Sequence, residues 1–539
     1  VKKAYLFALL ALTIASSNAG AQAAMGAMRG EPPKNWWLLD EQADGWRGIS
    51  IERAYRELLA GKQPRREVVV AIIDSGVEVD HEDLKDVLWT NRREVAGNGR
   101  DDDRNGYVDD VHGWDFLGNR DGRDITYDTY EAVRIYASLR GKYDGANPDT
   151  LSPAAKAEYA LYRETKADTE KNRSEARDNL AQIQRIATLV DNAERILRAQ
   201  VGGDSLTAER VAKISSVSAE VVQAQRLYMN ILANGFTPQD VRNEVKSTQA
   251  ALEFQYNPDY DPRTVVGDNP RDDAERGYGN AEVEGPDAAH GTHVAGIVAA
   301  VRGNGKGIDG VATGVRLMIL RTVPDGDERD KDVANAIRYA ADNGAHIINM
   351  SFGKAHSPGK ALVDAAARYA DSKGVLMVHA AGNSAADLAV EPSFPVRAYT
   401  GGGEPALWME VGASSWKGLD SLPATFSNWG DREVDVFAPG VDIYSTIPDG
   451  DYGDNSGTSM AAPVVSGLAG LLMAYYPNLS AADVKRILLQ SAREYRAQTV
   501  FLPGKEGATS PFGALSTTGG IVNAYTAIQM AERESRARN

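Results

Sequence analysis

Two kinds of apolar pattern alternate along most of this chain. "REVVVAIIDSG", residues 66–76, is β-branched without polar alternation, the signature of a strand buried on both faces of a parallel sheet, and it stops in a turn. "VRLMILRTV", "AHIINMSFG" and "GVLMVHAAGN" repeat that signature, with helical spacing at 330–343 and 359–373 between them. "ALWMEVGAS" and "EVDVFAPG" add two more strands, and "GTSMAAPVVSGLAGLLMAYY" is apolar all round, as a fully buried helix should be. This order predicts an α/β fold of three layers, α/β/α, around a mostly parallel sheet.

The middle of the chain reads differently. Across 151–254 glycine and proline are scarce, and apolar residues recur at helical spacing: Ala176, Leu180, Ile183, Ala187, Val190 and Leu197, then Val211, Ile214, Val217, Val221, Ala224, Tyr228 and Ile231. "VGGDS" separates the two stripes, so a long antiparallel helical hairpin is expected as an insertion. The domain reading is then a short leader at 24–65, a first catalytic segment at 66–150, the 151–254 insertion, and a second catalytic segment at 255–535. The leader contains "KNWWLLD" and the helical "SIERAYRELLAGK".

Residues 1–23 combine Lys2 and Lys3, an apolar run of about a dozen residues and small residues offering a cut after Ala21 or Ala23. This is the pattern of a signal peptide and implies export, to the periplasm or the extracellular space; the run is short of the roughly 20 residues of a membrane anchor. The chain has no cysteine, which excludes disulfides, thiolate metal sites and a cysteine nucleophile. A formal net charge of −16 argues against a nucleic-acid or anionic-membrane partner.

Four turns carry reactive groups: Asp74 in "AIIDSG", His290 in "DAAHGTHVAG", Asn383 in "HAAGNS" and Ser459 in "NSGTSMAAP". A serine hydroxyl needs a base to become a nucleophile, an imidazole can be that base, and a buried carboxylate can hold the imidazole in one tautomer. His290 and His293 stand three apart and would suit a metal pair only weakly. The helical zinc signature has four-residue spacing and a glutamate after the first histidine, whereas Gly291 stands there.

"DSG" after a hydrophobic strand, "HGTHVAG" and "GTSMAAP", in that order, resemble the three motifs of the subtilisin-like serine proteases, the subtilase family, peptidase S8. The similarity covers roughly 66–120 and 280–530. It implies a subtilisin-like fold and a serine endopeptidase with Asp74 as orienting acid, His290 as general base and Ser459 as nucleophile. Asn383 and the Ser459 N–H correspond to the oxyanion hole. Ser351, Phe352 and Gly353 on one side, with Ala380, Ala381 and Gly382 on the other, correspond to the substrate-binding walls. The resemblance, and the lack of an obvious charge in those walls, lead us to expect broad specificity with a hydrophobic first pocket. Peptides or proteins are the implied substrates, no cofactor is needed for the chemistry, no partner subunit is implied, and the oligomeric state is left open. The competing reading is an inactive subtilase scaffold that binds without hydrolysing; its usual mark, a missing triad residue, is absent.

The sequence departs from the family in three ways. Asp74 and His290 lie 216 positions apart, with the helical insertion between them. The leader is too short for the inhibitory prodomain many relatives carry, so it reads as accessory, and the insertion becomes a candidate regulator of access. Finally, "DDDRNGYVDD" spaces Asp101, Asp103, Asn105 and Asp109 as the first ligands of a calcium loop, with Gly106 at the turn; His112 stands where an EF-hand would end in glutamate. A structural calcium ion is the expectation there.

Overall fold

Strand β1, Val68–Asp74, is buried along its whole length because side chains leave it toward two different cores. Val68, Val70 and Ile72 enter one apolar layer, whereas Val69, Ala71 and Ile73 enter the other. That period-2 division explains why the run shows no polar alternation. A computed structural model describes residues 30–202 and 206–538; the signal-peptide reading falls on residues outside these.

The remaining strands are β2 (Gly113–Asp115), β3 (Val315–Arg321), β4 (Ile347–Met350), β5 (Leu376–Ala380), β6 (Trp408–Ser414), β7 (Val436–Pro439), β8 (Ile443–Ile447), β9 (Asp451–Asn455), β10 (Arg493–Glu494), β11 (Thr499–Phe501), β12 (Thr509–Pro511) and β13 (Gly520–Ile521). Nine of them form one sheet in the order β10-β13-β7-β6-β5-β4-β1-β3-β2. All its pairings are parallel except β10 with β13. Helices Ala289–Ala299 and Thr458–Tyr475 supply the first layer, and Asp330–Asp342 and Lys360–Ser372 the second, giving the α/β/α architecture. Asp74, Arg321, Met350 and Ala380 end adjacent strands, so the chain turns that follow crowd one edge of the sheet.

The stretch read as an accessory leader belongs to the core. Trp36, Trp37, Ile49 and Ile51 are fully buried in the first layer, and the Ile49 carbonyl accepts from the Ala524 amide. At Gly48 a Cβ would come within 2.5 Å of the Trp36 and Trp37 carbonyls, so only glycine lets the segment fold back this tightly.

Residues Tyr127–Asp261 form a second compact unit. It is larger than the hairpin expected from the apolar stripes, because it includes helix Glu131–Tyr143. One arm of the hairpin is as expected. Helix Pro153–Val201 runs 49 residues from Ser152, whose hydroxyl accepts the Ala155 amide, to Gly202, at φ 63°. The return arm is three helices, Ala208–Ala212, Ala219–Ala233 and Pro238–Ala250. Val217, assigned to the stripe, lies in the first break and is fully exposed. "KISSVS" is poor in helix formers, and Thr237-Pro238 starts a new helix with a capping box. Ile183, Val190 and Leu197 still pack against Ile231, Val241, Val221 and Tyr228.

Candidate active site

Asp74 sits at the carboxyl end of β1, 1% exposed. Its Oδ1 accepts the Ser75 amide at 2.8 Å and lies 2.6 Å from His290 Nδ1, while Oδ2 is buried with no hydrogen-bond partner among the described residues. The Thr322 and Val323 amides hold the Asp74 carbonyl, so the turn cannot swing away. His290 is the second residue of helix Ala289–Ala299. That helix approaches closely because Gly291 follows: a Cβ there would stand 2.0 Å from the Gly76 carbonyl oxygen and 3.3 Å from Asp74 Cβ.

The His290 side chain remains 41% exposed toward the cleft. Burial opposes its protonation, but the charge of Asp74 and its hydrogen bond outweigh that, with Asp287 adding to them, so its pKa lies above the ordinary 6.5. His293, on the next turn, has the opposite fate. Its Nε2 donates to the carbonyls of Ile443 and Gly453, its Nδ1 has no hydrogen-bond partner among the described residues, and burial, then the charge of His290, push it down to about 4. It is a packing residue, bonded to the β8–β9 hairpin rather than to its own helical turn.

Ser459 is the second residue of helix Thr458–Tyr475, and its Oγ donates to the Ser351 carbonyl at 3.0 Å; no hydrogen bond joins it to His290. The Ser351 hydroxyl returns the contact to the Ser459 carbonyl at 2.9 Å, and is itself held through Asn349 to Ser466. Asn383 Oδ1 accepts both the amide and the hydroxyl of Thr458, at 2.8 and 3.0 Å. With the oxygen committed, the exposed Asn383 side chain has its Nδ2 left for the cleft. Ser459, His290, Asn383 and Ser75 line one cavity of about 660 Å³.

The family profile "Subtilase family" matches residues 65–514. The chain belongs to the subtilase family. It is similar to a thermophilic serine proteinase of Bacillus sp. (strain AK1), 44% identical over 185 residues, which are 34% of this chain and 42% of that relative. It is also similar to thermitase of Thermoactinomyces vulgaris, 36% identical over 241 residues, 44% of this chain and 75% of that relative. The chain thus spans less than half the length of the first relative. Among solved structures, the protease domain of PatA is 30% identical with a TM-score of 0.37, over 46% of this chain and 82% of that one.

In this subtilase the walls differ in part from the sequence expectation. Ser351, Phe352, Gly353, Ala380 and Gly382 line the cavity, but Ala381 does not: it is fully buried in a separate apolar cluster, on the other side of its strand end. The cavity also carries charge. Glu328 and Lys354 line it although they are 2% and 5% exposed, and Asp287, Arg321 and Glu391 join them. Lys354 is matched by Asp330 at 3.0 Å and Arg321 by Asp115 at 2.9 Å, which neutralises both cations. Arg321 and Glu328, at the 321–330 turn, and Glu391, in the loop after β5, lie in segments with no motif to flag them, whereas Lys354 directly follows "AHIINMSFG" and Asp287 opens "DAAHGTHVAG". Asn428 is another residue that the motifs did not reveal. Its Nδ2 donates to the Ala381 carbonyl and its Oδ1 accepts the Ser384 and Ala386 amides, fixing the turn that bears Asn383.

The acidic loop is rearranged relative to a calcium-loop pattern. Asp109 accepts the Asn98 and Gly99 amides, and Asn105 Oδ1 accepts the Tyr107 amide. Carboxylate oxygens of Asp101, Asp103 and Glu94 lie within 4.8 Å of one another instead. Glu94 Oε2 is buried with no hydrogen-bond partner among the described residues, which suits a hard cation; Glu94 lies upstream of the quoted motif and was missed for that reason.

Proposed function

We propose that this subtilase is a serine endopeptidase that works through Asp74, His290 and Ser459. The observation that supports it most is the 2.6 Å contact between Asp74 and His290 Nδ1 at a cavity shared with Ser459 and the Asn383 amide. Because Nδ1–H donates to Asp74, the His290 lone pair is on Nε2, the atom able to take a proton from serine. Ser459 Oγ leaves the Ser351 carbonyl, turns to Nε2 and attacks the peptide carbonyl as its proton passes to His290. The oxyanion receives hydrogen bonds from Asn383 Nδ2 and the Ser459 N–H, donors already oriented before charge develops. His290 then protonates the leaving amine, and an acyl-enzyme remains. Water, deprotonated by His290, attacks the acyl carbon, and Ser459 recovers its proton.

A peptide lies extended between the edges around Gly353 and Gly382, where the backbone carries no side chains. The first pocket takes apolar side chains against Phe352 and Ala380, and peptides and proteins of broad sequence are accepted. Residues 1–23 direct export. Any structural calcium is held by Glu94, Asp101 and Asp103, away from the reaction.

A fluorophosphonate probe tests the reading. The adduct should map to Ser459, disappear in Ser459→Ala and fall sharply in His290→Ala. Peptidase activity that survives Ser459→Ala and is abolished by a chelator would overturn the mechanism.

A further inference from the structure

His379 and Glu410 are cross-strand neighbours on β5 and β6 and form a buried pair, with Nδ1 2.7 Å from Glu410 Oε1. The other nitrogen, Nε2, is 2.9 Å from the Phe352 carbonyl oxygen, in the cleft wall that follows β4. His379 is fully buried, and its two partners are a carboxylate and a carbonyl, neither of which can donate. With Glu410 ionised, both ring nitrogens carry protons. The ring is an imidazolium, with Glu410 supplying the opposite charge and held in turn by Trp408 Nε1 at 2.9 Å.

Phe352 stands between Ser351, whose carbonyl holds Ser459 Oγ, and Gly353 at the cleft edge. Resting on the peptidase reading above, we propose that His379 is a positioning residue for substrate: its Nε2–H fixes the 351–353 wall at the spacing an extended peptide requires. A neutral ring has only one proton to give. Glu410, the stronger acceptor, keeps it on Nδ1, and the Nε2 lone pair then faces the Phe352 oxygen lone pairs across 2.9 Å. The wall must move, and the cleft loses its spacing.

The charged groups around the ring favour the protonated state. Glu410 faces it from β6 and Glu328 from the turn after β3. Lys354 is bound to the Glu328 carbonyl and to Asp330; Asp435, which accepts the Glu410 amide, is paired with Arg397. Burial pushes the His379 pKa down, but the charge and hydrogen bond of Glu410, then the Phe352 carbonyl and Glu328, raise it above 6.5. The wall is thus held while the ring is protonated and released as pH rises through that elevated value.

The test uses purified full-length protein, its active sites counted by fluorophosphonate labelling, and blocked tetrapeptide anilides with phenylalanine, leucine or alanine at P1. In wild type, KM for the best anilide should rise on the alkaline side while kcat holds. In Glu410→Gln the side-chain amide can donate to Nδ1 and leave the ring's single proton on Nε2 for the Phe352 carbonyl, so the alkaline rise should be lost. The acid limb of kcat/KM, set by His290, should stay in place. His379→Gln, whose amide donates without titrating, should abolish the alkaline rise. KM profiles that coincide in all three proteins, or KM and kcat changing together at every pH, would overturn the role of His379. Wild-type protein that takes no label at Ser459 would overturn the peptidase reading itself, a different result from labelled protein whose KM profile never moves.

Discussion

His293 gives this subtilase an acid-sensitive joint whose size can be worked out. Neutral, it donates through Nε2 to two carbonyls of the β8–β9 hairpin, and Nδ1 has no hydrogen-bond partner among the described residues. A second proton would have to sit on that buried Nδ1, beside the protonatable His290, and this is why its pKa falls to about 4. In the unfolded chain the same ring has a pKa of about 6.5. Above that value neither state holds the proton, and the titration of His293 does not affect stability. Between 6.5 and about 4 the unfolded state binds a proton that the folded state refuses, so stability falls with pH. At about 1.4 kcal/mol per unit this amounts to roughly 3 kcal/mol, a large part of a typical folding free energy. The assay is urea unfolding at a series of pH values for wild type and His293→Gln, with active sites blocked to prevent autolysis. Asp110, pushed up to about 6 chiefly by burial, gains stability over part of the same range, but it is common to both proteins and cancels in the difference. The advantage of wild type over the variant should shrink by roughly 3 kcal/mol as pH falls through that window. A difference independent of pH would refute the reasoning.

Thr458→Val removes the hydroxyl that donates to Asn383 Oδ1 and accepts from the Gly382 amide, while the Thr458 amide still holds Asn383. Titrated active sites should show kcat down about tenfold with KM little changed, short of the roughly 10²–10³ loss that removing an oxyanion donor brings; an equal loss would mean that the backbone contact does nothing. Asp287→Asn removes an exposed charge that raises the His290 pKa, so the acid limb of kcat/KM should move to lower pH, more so at low salt; a limb unmoved at low ionic strength would count against it. Calcium should raise the melting temperature over chelator-treated protein, an effect lost in Glu94→Gln and kept in Asn105→Ala. Loss in Asn105→Ala with retention in Glu94→Gln would restore the ligand set suggested by the motif.

The sheet was legible because burial on both faces leaves an unmistakable mark: 68–74 shows no alternation since Val70 and Ala71 enter different layers. The strands that escaped the pattern are short or peripheral. β2 has three residues and β13 two, too few to carry any period, and β9 is a largely exposed hairpin strand. The leader was misread for the opposite reason. "KNWWLLD" is too brief to name an element, although four consecutive apolar side chains so close to a strand have to be buried somewhere, and Trp36 and Trp37 lie in the central core.

For the site, motifs identify groups but not their orientation. "GNS" and "GTS" place Asn383 and Thr458, yet only the contact between them commits Asn383 Oδ1 and frees Nδ2. Charge was harder still, because a side chain's effect depends on what neutralises it. Lys354 and Arg321 put two cations in a cavity whose walls read as uncharged, and both are cancelled by acids elsewhere, Asp330 and Asp115. His379 is the same case inside the fold. In sequence it is one polar residue in an apolar strand, which suggests a core or pocket-wall residue. Its role follows only from the pairing of β5 with β6, which puts Glu410 on one side of the ring and leaves the Phe352 carbonyl to the other. A strand that reads as scaffold therefore carries the charge that holds the substrate wall, and the pH at which KM rises is the property that distinguishes the two.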